Sequence, residues 1–199
     1  MKEQDLLVRP LIGLFGGTFD PVHLGHLILA QIAIEELALE QLIFIPAKIS
    51  PHKEITPPCA LEKDRMAMLE LGCGNEHRFS IDDRELRREG NSYAIDTVRE
   101  LQKENPLAKF IYLIGEDNVS KLSTWKESDE LQQRVAFAVL RRSSNALLQP
   151  HSFPIISRCI DISSTEIRER LAKGRSVRYL LPTPVFKYIE ERRLYQKKN

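Results

Sequence analysis

The sequence has no long apolar run, since no stretch approaches the roughly 20 apolar residues that a membrane-spanning helix needs. Its three cysteines are odd in number and form no C-x-x-C pair, which argues against a disulfide framework and a thiolate zinc site. A net charge of only +1 argues against non-specific binding of nucleic acid. Residues 1–10 include several charges and no signal-peptide pattern. We therefore expect a protein of a reduced, cytoplasmic compartment that binds no nucleic acid and no membrane.

The chain also lacks the two common glycine-rich phosphate loops, G-x-x-x-x-G-K-[ST] and G-x-G-x-x-G. With 199 residues, 42% of them hydrophobic and 29% charged, it is long enough for one α/β domain with a substantial core. We predict a single domain over residues 1–199, with a core at about 11–162 and a helical C-terminal part at about 163–195. The oligomeric state stays open, and a homo-oligomer is compatible with the sequence.

Apolar runs and helical patterns alternate along the chain. The runs with β character lie at residues 11–15, 42–45, 79–81, 110–114, 135–140 and, more weakly, 155–160. The helical patterns lie at residues 27–37, 61–71, 94–104, 127–132, 163–173 and 183–194. This alternation predicts an α/β fold, a doubly wound parallel sheet with helices on both faces and a small C-terminal helical segment. Ligands of such sheets bind at the carboxyl ends of the strands.

The most informative segment is residues 16–26, Gly-Gly-Thr-Phe-Asp-Pro-Val-His-Leu-Gly-His, between a predicted strand and a predicted helix. Backbone N–H groups at a glycine turn and at a helix N-terminus converge and suit a phosphate. His23 and His26 are three positions apart, so within one helical turn their rings would project to the same side. The pattern favours phosphoryl or nucleotidyl chemistry. The alternatives are a turn with two solvated histidines and a His-x-x-His metal pair.

A second segment, residues 162–168, reads Ile-Ser-Ser-Thr-Glu-Ile-Arg; it follows a short strand and begins a helix. Ser163 or Ser164 can cap that helix. Arg168 offers a guanidinium fork that suits phosphate oxygens. By itself, the segment favours an ordinary capped amphipathic helix over a phosphate site.

Together the two segments resemble the signatures of the HxGH nucleotidyltransferase superfamily, in the GGTFDPxHxGH and SSTxIR forms of bacterial nicotinate-nucleotide adenylyltransferases. The match to the first signature is complete, and the resemblance extends from about residue 12 to residue 195. It implies a Rossmann-like nucleotidyltransferase fold. It also implies transfer of the adenylyl group of ATP to nicotinate mononucleotide, which yields deamido-NAD and pyrophosphate in NAD biosynthesis. The implied route is direct in-line attack without a covalent enzyme intermediate.

The resemblance implies catalytic roles for His23, His26 and Arg168. It implies ATP binding by both signatures and by a GxD element at residues 115–117, namely by Gly16, Gly17, Thr18, Phe19, Gly115, Asp117, Ser163, Ser164 and Thr165. The implied cofactor is Mg²⁺, which arrives with the triphosphate, and no protein side chain is expected to bind a metal ion. Without the resemblance, Asp117 is also compatible with a helix N-cap.

Two further segments resemble family elements that line the pyridine pocket, SYxxDT at residues 92–97 and LxxW at residues 122–125. The implied substrate-binding residues are Lys53, Tyr93, Ala94, Trp125, Lys126 and Arg142. Trp125, the only tryptophan, suits stacking on a nicotinate ring, and its alternative role is a core anchor. Lys53 is alternatively a solvated lysine. Backbone N–H groups at Ala94 and Lys126 are donors for a carboxylate, which only accepts, so a nicotinamide would be rejected.

Other functions remain as alternatives at this point. Within the superfamily they are a nicotinamide-preferring enzyme and a phosphopantetheine adenylyltransferase, although members of the latter family usually lack a terminal helix such as the one predicted at residues 183–194. Outside enzymes, His23 and His26 would suit a non-catalytic nucleotide-binding or metal-sensing module. No third ligand for a metal lies near them in the sequence.

Overall fold

The computed structural model describes residues 9–51, 59–141, 152–158 and 160–196. Within these ranges, six strands form one sheet in which every pairing is parallel. The strands are β1 (Leu11–Gly17), β2 (Gln41–Pro46), β3 (Phe79–Ile81), β4 (Lys109–Gly115), β5 (Ala136–Arg141) and β6 (Ile155–Ser157). Their order across the sheet is β3-β2-β1-β4-β5-β6. The predicted doubly wound parallel sheet is confirmed.

Helices connect and follow these strands. They are α1 (Leu24–Glu36), α2 (Glu62–Cys73), α3 (Arg84–Arg87), α4 (Ala94–Glu104), α5 (Glu116–Val119), α6 (Ser128–Arg134), α7 (Ser164–Ala172) and α8 (Thr183–Arg192), with a 3-10 turn at Leu122–Thr124. None of the helices in the described ranges is both long and apolar enough to cross a membrane.

Two apolar cores cover the two faces of the sheet. Leu14 and Phe15 are neighbours on β1 but belong to different cores, because successive side chains of a strand point to opposite faces. The Phe15 core includes residues of α1, α2, α7 and α8, whereas the Leu14 core includes residues of α4 and α6. The central strands are therefore apolar on both sides, as the continuous apolar runs predict.

The structure differs from the predicted elements mainly at their ends. β1 continues two residues beyond the predicted strand because Gly16 and Gly17 still pair with Ile45 and Pro46 of β2. The two glycines thus end the strand rather than form the turn. The short helices α3 and α5 and the 3-10 turn were not predicted, since three or four residues are too few to show a helical period.

The C-terminal helix α8 is held against α2 through one buried carboxylate. Asp64 on α2 accepts hydrogen bonds from the Tyr188 hydroxyl (2.8 Å) and from Nη2 of Arg192 (2.9 Å). Burial favours a higher pKa for Asp64, but the hydrogen bonds from Arg192 and Tyr188 outweigh it and lower the pKa below its usual value.

This pairing makes a prediction for stability. A group whose pKa is lowered by folding stabilises the protein above its unfolded pKa and loses that effect as the pH falls. Asp64→Asn should therefore lower the melting temperature at pH 7, and the deficit should shrink below about pH 4, the ordinary pKa of aspartate. Thermal unfolding of wild type and Asp64→Asn, followed from pH 7 down to below about pH 4, measures this difference in melting temperature. Glu191→Gln, an exposed acid-to-amide change on the facing helix α8, is the control. A deficit that does not change with pH would contradict the ion-pair explanation.

Candidate active site

A cleft of about 900 Å³ lies at the carboxyl ends of β1 and β4. The chain winds in opposite directions from these two neighbouring strands, and this switch point is where open α/β sheets bind ligands. Most residues proposed from the sequence line this cleft: Gly16, Gly17, Thr18, Phe19, His26, Tyr93, Ala94, Gly115, Asp117, Trp125, Lys126, Ser163, Ser164, Thr165 and Arg168. Lys53 and Arg142 lie outside the described residues.

His23 is placed differently from its prediction. Its side chain is fully buried (0% exposed) and it is absent from the residues that line the cleft. It has an extended backbone and occupies the N-cap of α1, one residue before the helix begins. Its ring stacks on the His26 ring, with the centroids 3.7 Å apart. His23 therefore packs against the His26 ring on the side away from the cleft.

His26 is the histidine at the wall of the cleft. Its Nδ1 accepts a hydrogen bond from the backbone N–H of His23 (3.3 Å), which assigns the proton of the neutral ring to Nε2 and makes that atom a donor. Phe15 and Phe19 pack on the ring edge-to-face, with centroids 5.9 and 5.1 Å away. Phe19 itself has a left-handed backbone (φ +48°). The ring is thus fixed by packing on several sides, and its engaged Nδ1 fits a hydrogen-bond donor better than a metal ligand.

Two glycines allow close approaches in the cleft. A Cβ at Gly16 would lie 2.5 Å from the hydroxyl oxygen of Tyr112, and one at Gly115 would lie 2.6 Å from Oδ1 of Asp117. Any larger residue at either position would displace these groups. Asp117 is exposed and is not the N-cap of α5, which is Gly115. The alternative of a capping aspartate is therefore not what the structure shows.

The second signature is hydrogen-bonded directly to the first. Ser163 caps α7 by accepting from the backbone N–H of Glu166 (3.1 Å). The hydroxyl of Ser164 donates to the carbonyl oxygen of Pro21 (2.9 Å). Nη1 of Arg168 donates to the carbonyl oxygen of Asp20 (2.7 Å). Ser163 therefore acts as an ordinary helix cap, while Ser164 and Arg168 of the same segment contact the first signature. The Arg168 side chain lines the cleft.

Asp20 is a connecting residue that the sequence did not reveal. It is 3% exposed, and its carboxylate accepts from the backbone N–H groups of Cys59 (2.7 Å) and Ala60 (3.1 Å) and from the hydroxyl of Tyr195 (2.7 Å). All three donors are far from Asp20 in the chain, so no local pattern points to them.

Arg65 supports the same turn from α2. It is fully buried, and its Nη1 donates to the carbonyl oxygens of Thr18 and Ala47, both at 2.8 Å. Burial lowers the pKa of Arg65, although the nearby Asp20 charge opposes this. The turn at residues 18–20 is thus anchored by α2 and by the C-terminal tail.

An aromatic group forms the other end of the cleft. Trp125 is partly buried and meets Tyr112 edge-to-face at 5.9 Å between centroids, so it combines core contact with a place in the cleft wall. Nζ of Lys126 lies 4.8 Å from the ring centroid of Tyr93 and 3.0 Å from Oδ2 of Asp96. Ala94 is the first residue of α4, so its N–H belongs to the end of the helix that attracts anions.

Glu85 also lines the cleft and was missed. It is 3% exposed and accepts a 2.7 Å hydrogen bond from the Thr97 hydroxyl. Burial raises the pKa of Glu85, although hydrogen bonds from Thr97 and Ser92 oppose the shift. It comes from the unpredicted helix α3, and no motif marks it. Its contacts fix the start of α4 beside the aromatic group.

The described ranges contain no group of three or more His, Cys, Asp or Glu side chains placed to hold a metal ion.

The parallel sheet, the switch-point cleft and the two joined phosphate-type segments define a nucleotidyltransferase. A family model described as cytidylyltransferase-like matches residues 14–170, and the chain belongs to this family.

Curated relatives narrow the family further. A protein of Shouchella clausii named "probable nicotinate-nucleotide adenylyltransferase" is 46% identical over 191 residues, which cover 94% of this chain and 98% of the relative. A protein of Exiguobacterium sibiricum with the same name is 41% identical over 187 residues, covering 92% and 98%. Within the family, the chain belongs to the group of nicotinate-nucleotide adenylyltransferases.

A solved structure agrees on the fold. The nicotinic acid mononucleotide adenylyltransferase of Plasmodium falciparum, complexed with NaAD, superposes with a TM-score of 0.77 at 17% identity, and the match covers 94% of this chain and 97% of that one.

Proposed function

We propose that the protein transfers the adenylyl group of ATP to nicotinate mononucleotide and releases pyrophosphate and deamido-NAD. One observation carries the proposal: the two signatures, far apart in sequence, are hydrogen-bonded to each other at one cleft through Arg168 and Ser164. The cleft continues from this charged end to the aromatic group around Trp125. A triphosphate and a pyridine ring would thus both find suitable surroundings in one cavity. We also propose a cytoplasmic location, which the cysteine pattern of the sequence supports.

The chemistry proposed is direct attack in line. The 5′-phosphate of the mononucleotide is already an anion, so it attacks the α-phosphorus without a general base, and the bond from that phosphorus to the pyrophosphate oxygen breaks. The barrier then comes from aligning two anions and from charge that develops on the α-phosphate and on pyrophosphate. His26 would donate to the α-phosphate. Arg168, the fifth residue of α7, would hold the departing pyrophosphate with its guanidinium group.

Mg²⁺ is part of the proposal as the ion that travels with ATP. It neutralises charge on the triphosphate and on the leaving pyrophosphate. Asp117, exposed at the cleft, would instead accept hydrogen bonds from the ribose of ATP. Gly115 leaves the space that the Asp117 carboxylate occupies, since a Cβ there would lie 2.6 Å from its Oδ1.

Selection of the acid over the amide is proposed to depend on the start of α4. The N–H of Ala94 at the helix N-terminus would donate to the nicotinate carboxylate, and the N–H of Lys126 would add a second donor. A nicotinamide would direct its own N–H groups at these donors, which costs about 1–3 kcal/mol for each group left without a partner. The pairing of Lys126 with Asp96 keeps the Asp96 charge balanced near the site.

The decisive experiment measures pyrophosphate release with ATP and Mg²⁺, and compares nicotinate mononucleotide with nicotinamide mononucleotide. We expect strong turnover with the acid and a much lower kcat/KM with the amide. Equal or reversed preference would overturn the role of Ala94 and Lys126 but keep adenylyl transfer. No release with either would overturn the proposed reaction, and phosphopantetheine would be the next acceptor to test.

The single tryptophan gives a binding signal of its own. Because Trp125 is the only tryptophan and lines the cleft, stacking of a pyridine ring on it should quench most of the protein's tryptophan fluorescence. Titration with nicotinate mononucleotide should show saturable quenching, whereas ATP alone should produce much less. Unchanged fluorescence at concentrations that saturate turnover would place the pyridine ring elsewhere.

A further inference from the structure

Tyr195 lies beyond the end of α8 and reaches back to the first signature. Its hydroxyl donates a 2.7 Å hydrogen bond to Oδ1 of Asp20, across a sequence separation of 175 residues. The chain bends sharply to make this contact, because Arg193 and Tyr195 both adopt left-handed backbone angles (φ +50° and +64°) that residues other than glycine rarely take. The Tyr195 ring packs against the apolar core that includes Met68. The backbone conformation of the C-terminal tail therefore places the Tyr195 hydroxyl against the Asp20 carboxylate.

Asp20 joins this hydroxyl to the cation of the second signature. Its carbonyl oxygen accepts from Nη1 of Arg168 at 2.7 Å, and its Oδ2 lies only 4.0 Å from the same nitrogen. The carboxylate is almost completely buried and therefore depends on its donors. Without the Tyr195 hydroxyl, Oδ1 would keep, among the residues that the structure describes, the longer hydrogen bond from Ala60 (3.1 Å) alone. Arg65 also lies near this charge, but its Nη1 donates to two backbone carbonyl oxygens. Arg168 lines the cleft with its Nη1 4.0 Å from Oδ2, so it is the cation that can turn towards the carboxylate.

We propose that Tyr195 is a positioning residue for ATP binding. Its hydroxyl satisfies the Asp20 carboxylate with a hydrogen bond, and the Arg168 guanidinium therefore stays directed at the triphosphate. This inference rests on the proposed function, because ATP is there the ligand of Arg168. Burial and the Asp20 charge both raise the pKa of Tyr195, so the hydroxyl keeps its proton and remains a donor at working pH. The C-terminal tail thereby takes part in nucleotide binding without touching the nucleotide.

The chain contains a matched control. Tyr188 on α8 also donates its hydroxyl to a buried aspartate, Asp64, at 2.8 Å. That aspartate lies on α2 and does not line the cleft. Tyr188→Phe and Tyr195→Phe therefore each remove one hydroxyl that donates a hydrogen bond to a buried aspartate. A purely structural role predicts similar effects of both changes, whereas positioning predicts that they differ in ATP binding.

The test measures the dissociation constant of ATP by calorimetry and KM for each substrate by pyrophosphate release, in wild type and both variants. Thermal unfolding first establishes that each variant is folded. For Tyr195→Phe we expect ATP binding and KM for ATP to weaken about tenfold, the size expected for one hydrogen bond to a charged group. KM for nicotinate mononucleotide should stay within about twofold, since its pyridine ring is proposed to bind at Tyr93 and Trp125 and not at the second signature. Tyr188→Phe should leave all three values unchanged.

A double-variant cycle tests the route through Arg168. In an Arg168→Ala background, Tyr195→Phe should no longer alter ATP binding, because the guanidinium it positions is gone. Unchanged ATP binding in Tyr195→Phe, an equal loss in Tyr188→Phe, or a full effect in the Arg168→Ala background would each overturn the inference. Wild-type protein that binds ATP but does not turn over would overturn the proposed reaction alone. Wild-type protein that binds no ATP would overturn both.

Discussion

Replacing His26 by alanine should lower kcat for pyrophosphate release by a factor of about 10²–10³, the usual cost of removing one preorganised donor from a developing negative charge. The reason is geometric. Nδ1 is engaged by the His23 backbone, which leaves Nε2–H as the donor, and the ring is clamped between His23 and Phe19. KM for ATP should change less than kcat, because the interaction strengthens mainly in the transition state.

The control for this prediction is His77→Ala. The His77 side chain is 86% exposed and lies outside the cleft, so the same substitution there should leave kcat unchanged. Thermal unfolding separates a catalytic effect from unfolding, since His26 also packs against the core. If folded His26→Ala protein kept kcat within about threefold of wild type, donation by His26 to the α-phosphate would be wrong.

Arg168→Ala should lower kcat/KM for ATP by a factor of about 10²–10³, since the change removes a charged fork that would contact the pyrophosphate portion. Arg168→Lys should recover only part of this loss, because an ammonium group cannot make paired contacts with phosphate. Steady-state kinetics at saturating nicotinate mononucleotide measures both. The rate with nicotinamide mononucleotide should fall by the same factor as the rate with nicotinate mononucleotide, because Arg168 is not proposed to contact the pyridine ring.

Arg170→Ala provides the comparison on the same helix. Arg170 lies two residues further along α7 and donates to the carbonyl oxygen of Ser176 instead of facing the cleft. It should leave kcat/KM for ATP unchanged. Equal losses for the two arginines would indicate general attraction of ATP by positive charge and not a specific contact from Arg168.

The sequence predicted the sheet and the general place of the site because both depend on local information. Apolar runs of strand length separated by helical periods define a parallel sheet, and the topology of such a sheet fixes where ligands bind. The signatures at residues 16–26 and 162–168 lie between strands and helices, and their resemblance to the two signatures of one family implied that both bind ATP; the structure brings both to one cleft.

The features of the site that the sequence did not predict depend on contacts between residues that lie far apart in the chain. Asp20, Arg65 and Tyr195 are linked to the cleft by hydrogen bonds that span long stretches of chain. Neither periodicity nor spacing records such contacts. The rings of His23 and His26 do lie side by side, as their spacing predicts, but the spacing could not show that His23 is buried and does not line the cleft.

The sheet order also sets a problem for synthesis of the chain. β1 is completed early, but it is central, and Leu11 must pair with Lys109 of β4. At about 5–20 residues per second, one edge of a strongly apolar strand waits on the order of ten seconds for its neighbour. An unpaired apolar edge is a template for pairing with other chains. The nascent protein therefore passes through a period of exposure to aggregation, which ends only when the second half of the sheet has emerged from the ribosome.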